Sequence, residues 1–165
     1  MKEAITIRRA NESEFLKVYQ FVSNCKPLEN YSEHFYKIIL RYFGNSCFVA
    51  EYNDSIIGFV MSFISQTHNK TYFLWQIGVT PKMHGKGIGR KLLESVEVEL
   101  AKMGCDRIEL TIDPKNIPSM KLFEKAGYKN ISEKEGSTLI VDNNIAVKDY
   151  YKSESHFMLY EKNFS

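Results

Sequence analysis

The chain has 165 residues, 44% hydrophobic and 25% charged, with 22 basic against 20 acidic side chains for a net charge of +2. That balance suits a single globular domain spanning 1–165, with enough apolar residues for a full core. It offers no basic run for nucleic acid and no apolar stretch of membrane-spanning length, and residues 1–10 lack the apolar centre of a signal peptide. Cys25, Cys47 and Cys105 are odd in number and lack metal-type spacing. Reduced thiols in a cytoplasmic protein, with no metal, are the simple expectation.

In chain order, Ala4–Arg9 alternates apolar and polar residues and reads as an opening strand. Asn11 with Glu14 makes a capping box before a helix whose buried face is expected to carry Phe15, Leu16, Val18, Tyr19 and Val22. Residues 31–43 predict a second helix with Phe35, Ile38, Ile39 and Tyr42 turned inward, closed by Gly44-Asn45. Two strands, 47–51 and 56–65, flank the turn residues Asn53-Asp54 as a hairpin, and a second turn at 68–70 leads to an apolar strand from Thr71.

That strand, with Tyr, Phe, Trp, Ile and Val in nine residues, ends at Thr80-Pro81 because proline lacks an amide hydrogen. Gly85, Gly87 and Gly89 follow, then a helix with Leu92, Leu93, Val96, Leu100 and Met103 on one face. A strand, a glycine loop and a helix start form a ready anion site, because backbone amides point outward and glycine permits close approach. Lys86, Arg90 and Lys91 stand at the helix end where the macrodipole disfavours cations. A bound pyrophosphate resolves that conflict.

Gly104 stops the helix, and residues 107–112 read as a strand parallel to the central one through a right-handed crossover. Pro118 opens a short helix through Lys125, and Gly127-Tyr128 turns back into the sheet. Within 132–154 only Thr138–Val141 reads as a strand, the remainder resembling a mobile loop before a last strand at 156–161.

Ile77-Gly78-Val79, the run His84-Gly-Lys-Gly-Ile-Gly-Arg90 and the pattern from Asn116 through Ser119 to Gly127-Tyr128 together resemble the GNAT N-acetyltransferase family. The resemblance covers nearly the whole chain. It implies an α/β fold, a mixed and mostly antiparallel sheet flanked by helices, whose parallel strand pair splays to admit acetyl-CoA. By that likeness Ile77, Gly78 and Val79 hold the pantetheine arm through backbone, and His84, Gly85, Lys86, Gly87, Ile88, Gly89 and Arg90 hold the pyrophosphate. Asn116 and Ser119 lie by the cysteamine end, and Phe123 stands where many members carry the tyrosine that protonates the departing thiolate. Tyr128 is the substitute acid to consider. His84 replaces the Gln or Arg usual at its position.

Within the family, Phe73–Val79, Leu110–Asn116 and the region from Leu28 to Tyr36 are most similar to the diaminobutyrate acetyltransferases of ectoine synthesis. Glu29 replaces an aspartate usual there, and Glu154-Ser-His-Phe157 replaces a more acidic run. The likeness implies transfer from acetyl-CoA to a primary amine of a small metabolite. The alternatives are a protein or peptide N-acetyltransferase and a non-catalytic CoA-binding sensor. No nucleic-acid or membrane partner is expected, while a homodimer is compatible.

Amine acetylation requires a neutral nucleophile, so a carboxylate or its bound water takes the ammonium proton. A backbone amide near Val79 serves the thioester oxygen. Glu29, Glu33, Glu109 and Glu154 are the carboxylates available as base or ammonium anchor, with Glu29 and Glu33 favoured because the first two helices roof the acceptor site in the family. Trp75 and Gln76 are neighbours on a strand, so one faces the acceptor and the other the opposite side. Thr111 is a further acceptor-side candidate.

Overall fold

The computed structural model describes residues 4–164. Strand β1 (Thr6–Arg9) precedes helices α1 (Phe15–Ser23) and α2 (Glu33–Phe43). Then come β2 (Cys47–Tyr52), β3 (Ser55–Ile64), β4 (Thr71–Val79), α3 (Ile88–Lys102), β5 (Arg107–Ile112) and α4 (Ile117–Lys125). The strands β6 (Lys129–Asn130), β7 (Thr138–Val141), β8 (Asn144–Lys152) and β9 (Ser155–Asn163) complete the order. They form one mixed sheet in the order β1-β2-β3-β4-β5-β9-β8-β7, with β6 paired to β9. Among the described residues β4 and β5 are the one parallel pair, as a strand–helix–strand crossover requires.

Helices cover both faces. On one, α3 and α4 set Leu92, Leu93, Val96, Leu100 and Phe123 against Tyr72, Leu74, Ile108 and Leu110. On the other, α1 and α2 set Val18, Val22, Tyr36, Ile39 and Leu40 against Val49, Phe59 and Met61. The Glu14 carboxylate accepts from the Asn11 amide at 2.7 Å and from Arg8 Nη1 at 2.9 Å, and Arg8 Nη2 reaches Glu51 at 2.7 Å. One side chain thus joins the start of the helical layer to the sheet edge.

Four expectations change. In α1 the buried residues are Val18 and Val22, four apart on one side of the helix, while Leu16 lies off that line and is 46% exposed. Helix α2 buries Tyr36, Ile39 and Leu40, while Ile38 and Tyr42 are 52% and 68% exposed. The inward stripe is rotated because Tyr36 has a buried partner: its hydroxyl donates to Gln76 Oε1 at 3.2 Å. Met103, placed in the α3 stripe by spacing, is the C-cap residue and 38% exposed. The region 132–154 is also more ordered than a loop: besides β7 it contains the nine-residue strand β8. Its alternation was hidden because residues 148–151 bulge opposite the single residue His156, between the pairs Val147↔Phe157 and Lys152↔Ser155.

A buried ion pair ties α3 to β9. Lys162 Nζ lies 2.6 Å from Glu97 Oε2, with the Glu97 side chain 8% and Lys162 28% exposed. Burial pushes the Glu97 carboxyl up, and Lys162 pulls it back down. Lys162→Met leaves a buried carboxylate alone and is expected to cost on the order of 2–3 kcal/mol, less than a fully enclosed pair because the lysine is partly wet. A buried carboxyl raised above its unfolded value loses stability as pH rises through the folded value. The deficit, read from urea unfolding, should therefore be largest at neutral pH and shrink in mild acid.

Candidate active site

The site begins where β4 and β5 part. Their parallel pairing covers only Thr71↔Arg107, Tyr72↔Ile108 and Phe73↔Glu109. Beyond Phe73, β5 continues on β9 as far as Ile112↔Met158, and β4 continues on β3 to Gly58↔Val79. From Leu74 onward β4 thus has a sheet neighbour on one side only.

At the parting point β4 carries a bulge. Met61 pairs with Gln76 and Ser62 with Leu74, so Trp75 is the extra residue. The bulge turns Trp75 and Gln76 to the same face, that of α1 and α2, rather than to opposite faces. Trp75 Nε1 donates to Tyr31 Oη at 3.1 Å, and its ring meets Phe35 edge-on at 5.3 Å between centroids. Gln76 Nε2 donates to the Glu29 carbonyl at 2.6 Å. Strict alternation could not have indicated this, because it fails at the one residue that matters.

Glu29 is brought into this group through its side chain as well. Tyr31 Oη donates to Glu29 Oε2 at 3.1 Å, while burial, opposed by the indole, pushes the Tyr31 phenol up. Across the gap, Thr111 Oγ1 lies 2.6 Å from Tyr151 Oη, and the Tyr151 ring stands edge-on to Phe157 at 4.9 Å. Tyr31 and Tyr151 were missed in the sequence. For Tyr31 the signal was its place two residues from Glu29; for Tyr151 none existed, because the bulge in β8 is what carries it there.

The opposite end of β4 leads through Pro81–Met83 into the glycine loop. Gly85 and Gly87 hold φ of 77° and 74°, and a Cβ added at either meets nothing within 4 Å. Gly87 is the N-cap of α3, and the first turn of that helix contains no acidic residue. Lys86 is exposed, and Arg90 holds Glu94 at 2.8 Å. His84 Nε2 donates to the Val79 carbonyl at 2.8 Å. Gly89 packs near Val79 and Leu122, and Ile88 is buried. At the end of β5, Asn116 Oδ1 caps α4 by accepting from the Ser119 amide at 3.3 Å.

The model of the acetyltransferase (GNAT) family matches residues 15–128, from α1 through the glycine loop to the turn after α4. The chain belongs to the GNAT acetyltransferase family. Among curated GNAT relatives, the L-2,4-diaminobutyric acid acetyltransferase of Halomonas elongata is 33% identical over 120 residues, 72% of this chain and 62% of that protein. That of Marinococcus halophilus is 34% identical over 119 residues, 70% of this chain and 67% of its own. The matched region thus spans about two thirds of these relatives. Among solved GNAT structures, the diaminobutyrate acetyltransferase of Paenibacillus lautus, in complex with L-2,4-diaminobutyric acid and coenzyme A, superposes with a TM-score of 0.77. Identity there is 22%, with 99% of this chain and 98% of that one covered. The Escherichia coli ribosomal-protein-S18-alanine N-acetyltransferase gives 0.72 at 18% identity over 98% and 95%. At those identities the likeness is one of fold, and the nine-stranded sheet with its splayed parallel pair agrees with it.

Several expected GNAT site residues take other posts. Tyr128 is 3% exposed, and its hydroxyl is buried without a partner. Burial beside Glu97 and Cys105 pushes its ionisation far up. It therefore sits in the core rather than on the groove, because the turn after α4 folds its ring against Phe123, 5.1 Å away. Phe123 is itself 1% exposed. Glu154 occupies the β8–β9 turn with its side chain 89% exposed, 3.9 Å from His156 Nε2. Glu33 is an exposed first-turn residue of α2, suited to the helix dipole. Glu109 is paired with Arg107 at 3.2 Å. Of the four carboxylates, Glu29 is the one bonded into the Tyr31–Trp75 group. Among the described residues no cluster of three or more His, Cys, Asp or Glu could hold a metal, and no helix is long and apolar enough to cross a membrane.

Trp75 is the sole tryptophan and 40% exposed, so its fluorescence reports this group directly. Tyr31→Phe removes the acceptor of its indole N–H and is expected to shift the emission at a stability cost below about 1 kcal/mol. An unchanged spectrum with normal urea unfolding would mean that the two rings are not bonded in solution.

Proposed function

We propose that the chain is an acetyl-CoA-dependent N-acetyltransferase acting on a primary amine of a small metabolite, with a short diamino acid such as 2,4-diaminobutyrate as the leading acceptor. The observation that carries the reading is the parted β4 edge, open between a glycine-loop helix start on one side and the Glu29–Tyr31–Trp75 group on the other. The co-substrate brings the activated acetyl thioester. Backbone amides from Gly85 to Arg90 receive its pyrophosphate, with Lys86 and Arg90 neutralising charge. Ile77 and Val79 offer backbone hydrogen bonds to the arm, and an amide of that strand faces the developing oxyanion. Asn116 and Ser119 lie at the helix start on the other wall.

On the acceptor side, Glu29 meets an ammonium group and provides a route for the proton that a neutral nucleophile must lose. Trp75 supplies a ring face for cationic or apolar parts of the acceptor. Gln76 is already committed to Tyr36 and the Glu29 carbonyl, so its role is to hold the Glu29 segment rather than to meet the carboxylate. Thr111 and Tyr151 offer hydroxyls to that carboxylate. Positioning of two reactants without a covalent enzyme intermediate accounts for the rate. The diaminobutyrate relatives support the diamino acid over a peptide. Three free cysteines, all buried, support a cytoplasmic setting. The uncharged outer strand β7, with Ile140 73% exposed, supports pairing with a second copy of this single domain.

Gly87→Val forces a branched side chain into the left-handed region, at a local cost of roughly 1–2 kcal/mol. The fold should survive because nothing crowds that position, while acetyl-CoA affinity by calorimetry should drop. Unchanged affinity would remove the loop from the site. A panel of diamino acids, monoamines, polyamines and peptides, followed by thiol release, tests the acceptor. Glu29→Gln is expected to lower kcat/KM for 2,4-diaminobutyrate by on the order of a hundredfold, and much less for a monoamine. Equal losses would mean Glu29 does not read the second amine. Turnover confined to peptides would reject the small acceptor, and CoA binding without turnover of any amine would favour a sensor.

A further inference from the structure

Two neighbouring residues of the β4 bulge hold one residue of the α1–α2 segment at both ends. Gln76 Nε2 takes the Glu29 carbonyl at 2.6 Å, and Gln76 is itself fixed by the Tyr36 hydroxyl at 3.2 Å. Trp75 reaches the Glu29 side chain through Tyr31. Its Nε1 donates to Tyr31 Oη at 3.1 Å, and Tyr31 Oη donates to Glu29 Oε2 at 3.1 Å. The double hold exists because the bulge turns both residues to the α1–α2 face. A regular strand would have given that face only one of them.

Chemistry fixes the direction of the second hold. An indole N–H can only donate and an ionised carboxylate can only accept, so the single Tyr31 proton is committed to Glu29. A hydroxyl that accepts one bond while donating another is polarised, and the donated bond is strengthened. The phenol ring is held independently of that proton, 4.4 Å from Phe35 and 5.5 Å from Trp75 between centroids. Trp75 in turn is gripped edge-on by Phe35 at 5.3 Å and Phe63 at 5.7 Å. The Glu29 carboxylate is thus kept within two hydrogen-bond lengths of the indole nitrogen. Tyr31 engages Oε2 only, which leaves Oε1 to a ligand.

We propose that Tyr31 is a positioning residue that sets specificity for a second amine: its hydroxyl holds the Glu29 carboxylate beside the Trp75 ring, where one ammonium meets both. The inference rests on the acceptor reading above. Glu29 is exposed on a segment without regular structure, and its side chain has three rotatable bonds. Unheld, those rotations would be lost only when the ammonium binds, at a cost of up to about tenfold in affinity. Held by Tyr31, they are lost on folding instead. An ammonium bonded to Glu29 then lies within reach of the indole, whose ring attracts the same charge. The amine that receives the acetyl group must first give up its proton, so the charge kept by this pair belongs to the other amine. A monoamine spends its one nitrogen on the transfer and has nothing left for the pair.

Steady-state kinetics of thiol release test this with 2,4-diaminobutyrate and its two single-amine analogues, 2-aminobutyrate and 4-aminobutyrate. Tyr31→Phe keeps the ring and removes the hydroxyl, so the fold, checked by urea unfolding, should remain. KM for 2,4-diaminobutyrate should rise about fivefold, the worth of one hydrogen bond, with kcat within about twofold. On the single-amine analogues the same change should alter kcat/KM by less than about twofold. In a Glu29→Ala background Tyr31→Phe should have no further effect, because it acts only through that carboxylate. The proposal is overturned if KM for the diamino acid is unchanged, or if the loss falls on kcat. It is equally overturned if an analogue that turns over suffers as much, or if the loss persists beside Glu29→Ala. Should the unaltered protein turn over peptides alone, or no amine, the acceptor reading falls and this inference with it.

Discussion

Everything at the site depends on β4 losing β5 as a neighbour after three residue pairs. Unpaired backbone groups inside a fold are costly unless something bonds to them. The sheet tolerates the break because each strand keeps its other neighbour at full length: β3 holds β4, and β9 holds β5. The opening is therefore framed by two firm half-sheets and does not depend on loops for its shape. Helices α3 and α4 span the gap on one face, with Leu92, Leu93 and Phe123 packed over Tyr72, Leu74 and Leu110.

The same break separates two chemistries. The C-terminal end of β4 runs into left-handed glycines and a helix start that favours anions, and its middle bends at Trp75 toward an aromatic and carboxylate group. The bend is held by bonds that a ligand need not supply. Tyr36 and the Glu29 carbonyl fix Gln76, and the Tyr31 hydroxyl fixes both the Trp75 indole and the Glu29 carboxylate. Groups held by their own hydrogen bonds before a ligand arrives lose little entropy when it does.

The sequence disclosed what local chemistry controls. Turn residues, caps and the glycine loop were readable because each requires a particular backbone conformation: Asn53 and Asp54 take φ of 50° and 56°, Asn11 and Glu14 form the expected capping box, and Gly85 and Gly87 take φ of 77° and 74°. The antiparallel run of β2, β3 and β4 followed from those boundaries, and the parallel pairing of β4 with β5 followed from the helix between them. What could not be read depends on register between distant segments. The rotation of α2 is set by a Tyr36–Gln76 bond across 40 residues, and the shared face of Trp75 and Gln76 is set by a bulge that only pairing with β3 creates. Tyr151 is carried by a four-residue bulge in a segment with no clear alternation. Tyr128 and Phe123 show the converse: an aromatic near a motif can belong to the core, as their low exposure demonstrates.

Gly78 sits between the two backbone groups that face the gap, and its open face is filled by another part of the chain. A Cβ there would come within 2.5 Å of Leu28 Cδ1 and 2.9 Å of Cys25 Sγ. The segment joining α1 to α2 therefore rests directly on the β4 backbone, and Glu29 is the next residue after the one that touches it. A methyl group at position 78 would press on the Leu28 and Cys25 side chains, so those two side chains must turn aside before the strand can carry anything larger than glycine there. The packing between β4 and the α1–α2 segment is thus set by two side-chain tips over a bare backbone, a place where bulk can pass from the roof to the floor without any polar group being exchanged.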